Sequence, residues 1–204
     1  MHVSITSPLQ HCFAPLLAAL FAMAACSAQA SDFTIYSTEF PSLAEPSGEG
    51  AKGLYADLLA QVERKTGHRF SWRFQPWARA QLSAQADPNG MIVNFTRTPE
   101  RESRYQWVGV VGWGRYGVFI PEKSKARTLA DIQDQTIGYL NGSDAQGVLQ
   151  QAGFKKLEPA TAGEFNARKL HLGRIGGWAI NLWTGPSIWQ SIAGMPNPTV
   201  AKGK

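Results

Sequence analysis

The chain has 204 residues, a formal net charge of +5 and 44% hydrophobic residues. This length is sufficient for one packed domain or for two small lobes. Its twenty basic residues are scattered among fifteen acidic ones without a run of like charge. Because nucleic-acid-binding surfaces concentrate basic residues in a patch or stripe, the sequence gives no reason to expect a nucleic-acid partner. The positive balance suits a solvated surface that weakly attracts small anions.

The first thirty residues contain no Lys, Arg, Asp or Glu. The segment 13–25 is apolar but too short to cross a bilayer as a helix, and residues 28–30 follow the small-x-small pattern of a cleavage site. We therefore predict a signal peptide over residues 1–30 and a periplasmic mature protein. Lipoprotein anchoring at Cys26 is the alternative. The only other cysteine, Cys12, is also in this leader, so the mature chain has no cysteine-based metal site.

Hydrophobic periodicity predicts alternating strands and helices in the first part of the mature chain. The predicted order is strand 33–37, helix 55–66 closed by Gly67, strand 70–74, helix 79–86 and strand 91–95, then strands at 107–111 and 118–120. Pro121 and the polar residues after it indicate a boundary. We expect a first lobe over residues 31–118.

The second part repeats the alternation, which predicts a second lobe over residues 119–204. Its predicted elements are strand 136–140, helix 144–152 ended by Gly153, a weak strand around Leu157, helix 165–172 and strand 177–182. Beyond Trp189 we predict neither a strand nor a helix. The expected fold is therefore α/β with two lobes and a hinge near residues 117–121, in which the second lobe and the return to the first are incomplete.

A short polar run after the strand predicted at 91–95 has the pattern of a helix start. Thr98 is a favoured N-cap residue and Pro99 suits the first helical position, so Arg101 is expected in the first turn. A cation there opposes the helix dipole. The position favours an external anion such as a ligand carboxylate, and the alternative is an ion pair with Glu100, Glu102 or a more distant acid.

Several segments, taken in their order and spacing, carry a family resemblance across nearly all of the mature chain. They are residues 34–36 and 40–41, 53–59, 76–80, Thr96 with 98–101, 141–143 and 172–175. Together they resemble the bacterial extracellular solute-binding proteins of the polar amino acid class, the periplasmic receptors that feed ABC importers. The resemblance implies a monomeric two-lobe receptor that closes on a small-molecule ligand and delivers it to an ABC permease in the inner membrane.

The resemblance also implies a carboxylate site made by both lobes. Arg101 corresponds to the arginine that holds the ligand carboxylate, and the helix start at Ser143 and Asp144 corresponds to the second-lobe contact. Exposed N–H groups at a helix start bind anions well. The alternative is that Ser143 or Asp144 only caps its helix. Asp144 is negative, so it would face an ammonium group or solvent instead of a carboxylate.

Four further polar or aromatic residues follow from the same resemblance. Trp77 corresponds to an aromatic platform under the ligand, although a tryptophan between a strand and a helix is equally typical of a core. Thr96 corresponds to a hydroxyl that contacts the carboxylate, and Asn94 lies two residues before it on the same strand face. Tyr36 lies where such receptors approach the ligand's α-amino group.

Two residues decide how well an amino group could be recognised. Glu39 could supply the anion for an ammonium group, and the alternative is a surface carboxylate. Asn181 stands where many members of the family have an acid. A neutral amide there weakens the expectation of a standard α-amino acid.

The sequence gives little support for catalysis. The mature chain has only two histidines, His68 and His171, and it has neither a Gly-x-Ser-x-Gly elbow nor a cluster of metal ligands. We expect a binding protein that is not an enzyme and needs no cofactor or metal. A periplasmic sensor domain is one alternative, and a dehydratase-like enzyme on the same fold is another.

Overall fold

The computed structural model describes residues 32–193 and 199–201. The predicted signal peptide, its cleavage site and the alternative anchor Cys26 lie outside the described residues. In the part of the chain that is described, no helix has both the length and the apolar character needed to cross a membrane.

The first lobe contains a small parallel sheet in the order β4-β1-β5 and a separate β2-β3 hairpin. Its elements are β1 (Asp32–Ser37), β2 (Glu45–Ser47), β3 (Gly50–Lys52), α1 (Leu54–Thr66), β4 (Arg69–Phe74), α2 (Trp77–Ala86), β5 (Gly90–Ile92) and α3 (Pro99–Glu102). Parallel neighbours need a crossover connection. Helices α1 and α2 supply the crossovers.

The second lobe contains a five-stranded mixed sheet in the order β10-β6-β9-β7-β8. Its elements are β6 (Tyr116–Ile120), a 3-10 turn (Ala130–Ile132), β7 (Ile137–Leu140), α4 (Ala145–Gln151), β8 (Leu157–Ala160), α5 (Gly163–His171), β9 (Gly177–Asn181), α6 (Gly185–Ala193) and β10 (Thr199–Ala201). Strand β7 runs parallel to β8 and β9, whereas β6 runs antiparallel to β9 and β10.

The two lobes pack differently. All four residues of β7 and the first four of β9 are buried, as expected for strands covered on both faces. Strand β4 alternates exposed and half-buried residues, so only one of its faces is covered. The first lobe's core is largely aromatic, and Leu140 of the second lobe packs into it beside Trp77. The lobes are therefore in direct contact.

Much of the predicted α/β alternation is confirmed. Phe70, Trp72 and Phe74 form the half-buried face of β4, as their spacing predicted. Helix α1 ends at Gly67, which has a φ of 77° and donates its N–H to Glu63. A glycine is suited to this left-handed position because it has no Cβ to clash.

Two predictions about the chain's course were wrong. The segment 107–111 forms no strand, and Val108 and Val110 are 85% and 70% exposed. A strand needs a neighbour to accept and donate its ladder hydrogen bonds, and none lies beside this segment among the described residues. Beyond Trp189 the chain does form regular structure, because α6 continues to Ala193 and β10 follows. Ile188 and Trp189 of α6 pack against the buried core of the second lobe, which explains why this helix forms.

The expected lobe boundary between residues 118 and 119 stays a prediction. Strand β6 crosses that position, and its residues from Tyr116 to Phe119 pair with β9. The whole strand therefore belongs to the five-stranded sheet.

Candidate ligand site between the lobes

Arg101 lies in the first turn of α3, a helix of four residues that begins at Pro99. Thr98 occupies the N-cap position in an extended conformation, but its side chain makes no capping hydrogen bond. The Arg101 residue is only 6% exposed. The helix thus directs a charged side chain into the protein.

The Arg101 guanidinium joins the two lobes through backbone carbonyls. Its Nη1 donates to the Thr96 carbonyl at 2.9 Å, and its Nη2 donates to the Gly142 carbonyl at 3.0 Å. Its central carbon lies 4.1 Å from the centroid of the Phe95 ring, a distance at which a cation is attracted to the ring face. Since Gly142 belongs to the loop after β7, this contact crosses between the lobes.

Arg101 has no carboxylate within ion-pair distance in the described part of the chain. The nearby Glu102 pairs with Arg97 at the exposed end of α3. Burial lowers the pKa of Arg101, and the negative charge of Asp144 opposes that shift. An arginine stays charged under such conditions because the guanidinium is a very strong base. The alternative of an ion pair with Glu102 is therefore excluded by this geometry.

Asp144 and Tyr116 form a second polar contact close to Arg101. The Tyr116 hydroxyl donates to Asp144 Oδ1 at 2.8 Å. Burial and then the Asp144 charge raise the pKa of Tyr116. Asp144 occupies the N-cap position of α4 but makes no side-chain capping bond. Its carboxylate accepts the hydrogen bond from Tyr116 instead. Ser143 precedes it, and its N–H donates to the Leu140 carbonyl at 3.0 Å.

Gln81 also contacts Gly142, and sequence analysis missed it. Its Nε2 donates to the Gly142 carbonyl at 2.9 Å and to the Trp77 carbonyl at 3.3 Å. The second bond joins residues one turn apart on α2. No local pattern marks Gln81, because its important partner lies in the other lobe.

Trp77, Thr96 and Asn94 were expected to contact the ligand, and each lies in a different setting. Trp77 begins α2, is 4% exposed and packs edge-on against Phe40 and Phe95, with ring centroids 5.1 and 5.8 Å away. Thr96 offers its carbonyl to Arg101, whereas its residue is exposed. Strand β5 ends two residues before Asn94, so Asn94 and Thr96 do not share a strand face, and that expectation was wrong. Asn94 has a φ of 53°, a left-handed conformation that asparagine tolerates better than most residues.

A separate hollow of about 390 Å³ lies between the lobes. It is lined from the first lobe by Glu39, Phe40 and Phe74, and from the second lobe by Glu164 and Phe165, among others. Neither glutamate forms an ion pair within the described ranges. The hollow is thus lined by two acids and three aromatic rings, and Arg101 does not line it.

Sequence analysis found Glu39 but missed Glu164. An acidic residue in the first turn of a helix is favoured by the helix dipole, so Glu164 at the start of α5 has an ordinary explanation. Only the approach of the two lobes brings it to the same hollow as Glu39.

Tyr36 and Asn181 are bound within their own lobes. The Tyr36 hydroxyl donates to Asp87 Oδ2 at 3.0 Å, and burial together with Asp87 raises the pKa of Tyr36. Asn181 ends β9, and its Oδ1 accepts the N–H of Trp183 at 2.9 Å. Neither residue lines the hollow.

Among residues 32–193 and 199–201, no three His, Cys, Asp or Glu side chains gather in a group able to hold a metal ion. The polar groups that meet between the lobes are instead hydrogen-bond donors, carbonyls and two separate carboxylates. This arrangement is suited to binding an organic solute by charge and shape.

The sequence matches no protein-family model. It also matches no curated protein. Solved structures, in contrast, align with most of the chain. The substrate-binding protein of an amino acid ABC transporter aligns with a TM-score of 0.74 and 15% identity, covering 85% of this chain and 79% of its own. The chain has the two-lobe fold of such binding proteins.

Two further structures have the same fold. The arginine-, lysine- and histidine-binding protein ArtJ from Geobacillus stearothermophilus aligns with a TM-score of 0.75 and 15% identity, covering 84% of this chain and 76% of its own. An arginine periplasmic binding protein from Legionella pneumophila aligns with a TM-score of 0.72 and 15% identity, covering 86% of this chain and 81% of its own. At this identity the likeness concerns the fold.

Proposed function

We propose that this protein is a periplasmic solute-binding protein that captures an amino acid carrying a positively charged side chain and delivers it to an ABC importer. The observation that carries the proposal is the hollow between the lobes, to which each lobe contributes a carboxylate, Glu39 and Glu164. The protein acts as a receptor and carries out no reaction on the solute.

The two carboxylates favour a cationic ligand. A guanidinium or ammonium group between Glu39 and Glu164 would form charge-assisted hydrogen bonds with both lobes. The rings of Phe40, Phe74 and Phe165 also line the hollow, and aromatic faces attract cations. A volume of about 390 Å³ lies in the range of small-molecule pockets, which is roughly 300 to 1,000 Å³.

The mechanism that we propose is capture by closure. A ligand that touches Glu39 in one lobe and Glu164 in the other gains contacts in the closed state that the open state lacks. Binding therefore shifts the population toward the closed state. The closed form would then be recognised by the importer at the inner membrane.

The chemistry of known proteins with this fold agrees with a cationic ligand. ArtJ binds arginine, lysine and histidine, and the Legionella pneumophila protein belongs to an arginine transport system. An ancestral arginine-binding protein has been solved with glutamine bound, and it has the same fold at a TM-score of 0.71. L-Arginine and L-glutamine therefore form an informative pair of probes, because they differ in side-chain charge.

Arg101 remains our proposed contact for the ligand carboxylate, with Thr96, Asn94, Ser143 and Asp144 around it. Its Nη2 is bonded to the Gly142 carbonyl, so a carboxylate would have to replace that carbonyl. Binding of the ligand's cationic end in the hollow does not require this replacement.

Calorimetric titration of the full chain with L-arginine and L-glutamine tests the proposal. We expect L-arginine to bind more tightly, and Glu39→Gln or Glu164→Gln to weaken L-arginine binding about 10- to 100-fold, because each removes a charge-assisted hydrogen bond. Glu49→Gln and Glu122→Gln are matched controls, since both residues are exposed and neither lines the hollow. Equal affinity for the two probes, or unchanged affinity in both test variants, would refute the cationic specificity.

A further inference from the structure

One carbonyl oxygen receives two donors across the boundary between the lobes. Gly142 of the second lobe accepts Arg101 Nη2 at 3.0 Å and Gln81 Nε2 at 2.9 Å. Both donors belong to the first lobe, one from α3 and one from α2. A carbonyl oxygen has two lone pairs, and these two contacts use both.

Each donor is also held by its own lobe. Arg101 donates to the Thr96 carbonyl at 2.9 Å and lies over the Phe95 ring. Gln81 donates to the Trp77 carbonyl at 3.3 Å. Because these bonds fix the side chains in place, little conformational freedom is lost when Gly142 arrives. The two donors form a preorganised receiving site for the loop.

The loop from the second lobe is shaped to enter that site. Gly142 has a φ of 78°, and a Cβ built there would lie 2.9 Å from Gln81 Nε2 and 3.1 Å from the Ala78 Cα. A side chain at this φ would be strained and would crowd the Ala78 backbone, so glycine favours this close approach. The neighbouring Asp144 is bonded to Tyr116 of β6, which ties the loop to its own sheet.

We propose that Gln81 and Arg101 form a latch that stabilises the closed arrangement of the two lobes through the Gly142 carbonyl. Gln81 is a positioning residue in this latch because it acts through Gly142 and does not line the hollow. The latch keeps the Arg101 charge hydrogen-bonded while it is buried. It also competes with any anion that approaches Nη2 of Arg101.

The latch has a direct consequence for binding. A ligand confined to the hollow binds more tightly because the latch already favours the closed arrangement of the lobes. A ligand that also pairs with Arg101 has to open the latch first, which lowers its apparent affinity by the cost of that opening. The latch consists of contacts within the chain, so its role does not depend on the identity of the ligand.

Hydrogen exchange of the Arg101 guanidinium, followed by NMR on the ligand-free full chain, measures opening of the latch. In the limit of rapid reclosing, the exchange rate is proportional to the open population. We expect Gln81→Leu to speed this exchange roughly 2- to 12-fold, the change that corresponds to the loss of one hydrogen bond. Gly142→Ala should produce a larger increase because its methyl group crowds Ala78 and strains the loop.

Gln85→Leu is the matched control. Gln85 lies one turn further along α2, and its amide donates to the Tyr105 hydroxyl of the same lobe instead of to Gly142. In this variant the Arg101 guanidinium should exchange at the wild-type rate. Small-angle scattering gives a second readout, in which Gly142→Ala should increase the radius of gyration while circular dichroism stays native.

The latch would be overturned by either of two results. One is unchanged Arg101 exchange in both Gln81→Leu and Gly142→Ala. The other is an equal acceleration in Gln85→Leu, which would mean that α2 is loosened in general and that the contact with Gly142 has no special role.

Discussion

The two places where the lobes meet have opposite chemistry. At the latch, donors from the first lobe meet a neutral carbonyl of the second. At the hollow, both lobes contribute carboxylates, Glu39 and Glu164. Like charges disfavour approach, and opposite charge or a hydrogen bond favours it. The latch therefore supports the contact between the lobes directly, whereas at the hollow that contact would gain support from a cation bound between the two glutamates.

Trp77 lies between these two places. Its ring contacts Phe40, which lines the hollow, and Phe95, which lies under Arg101. We expect Trp77→Ala to lower the free energy of unfolding by about 3 to 5 kcal/mol, because it opens a cavity in an aromatic core. Urea denaturation measures this change, and Trp77→Phe should cost less. A stable Trp77→Ala variant with impaired ligand binding alone would identify Trp77 as a ligand platform instead.

Arg101 and Arg97 test whether the latch, and not charge alone, stabilises the protein. Arg101→Ala should lower the free energy of unfolding by about 1.5 to 3 kcal/mol, because it removes charge-assisted hydrogen bonds from two carbonyls. Arg97→Ala removes an exposed ion pair with Glu102 and should cost less than Arg101→Ala, because solvent screens exposed pairs. Equal effects of the two substitutions on urea denaturation would contradict a special role for Arg101.

Substitution of Tyr116 should have the smallest effect on the free energy of unfolding, and that effect appears only in alkaline solution. The pKa of its hydroxyl is raised in the folded protein by burial and by Asp144. A raised pKa means that the folded state keeps its proton longer, so its contribution is complete below about pH 10 and decreases as pH rises above that value.

Tyr116→Phe removes this contribution. Between pH 10 and 11 the wild type should lose about 1 kcal/mol more stability than the variant. Urea denaturation at both pH values measures the difference. Because Tyr36 and Tyr55 also have raised pKa values, both proteins will lose some stability, and only an identical loss in the two would contradict the assignment to Tyr116.

Local sequence patterns predicted much of the fold. The alternation in β4 and the glycine that ends α1 depend on neighbours within a few residues, so a sequence pattern could reveal them. The segment 107–111 has equally good strand composition, but residues 108–111 are exposed and the segment is unpaired. Strand formation depends on a partner, and a partner is not a local property.

The candidate site was predicted less completely, for the same reason. Arg101 was expected to meet a ligand or an acid, and its position in the first turn of α3 follows from Thr98 and Pro99. Its observed acceptor in the second lobe, Gly142, lies 41 residues away in the chain. No spacing rule connects such positions.

The sequence by itself determined the α/β alternation, the burial patterns of its strands and the charged residues available at their ends. Only the tertiary structure decided that Gln81 and Arg101 share the Gly142 carbonyl and that Glu39 and Glu164 line one hollow. The physical reason is the sequence separation over which each kind of interaction acts. Periodicity and capping act within one or two turns of chain, whereas these contacts arise when two separately folded sheets pack against each other.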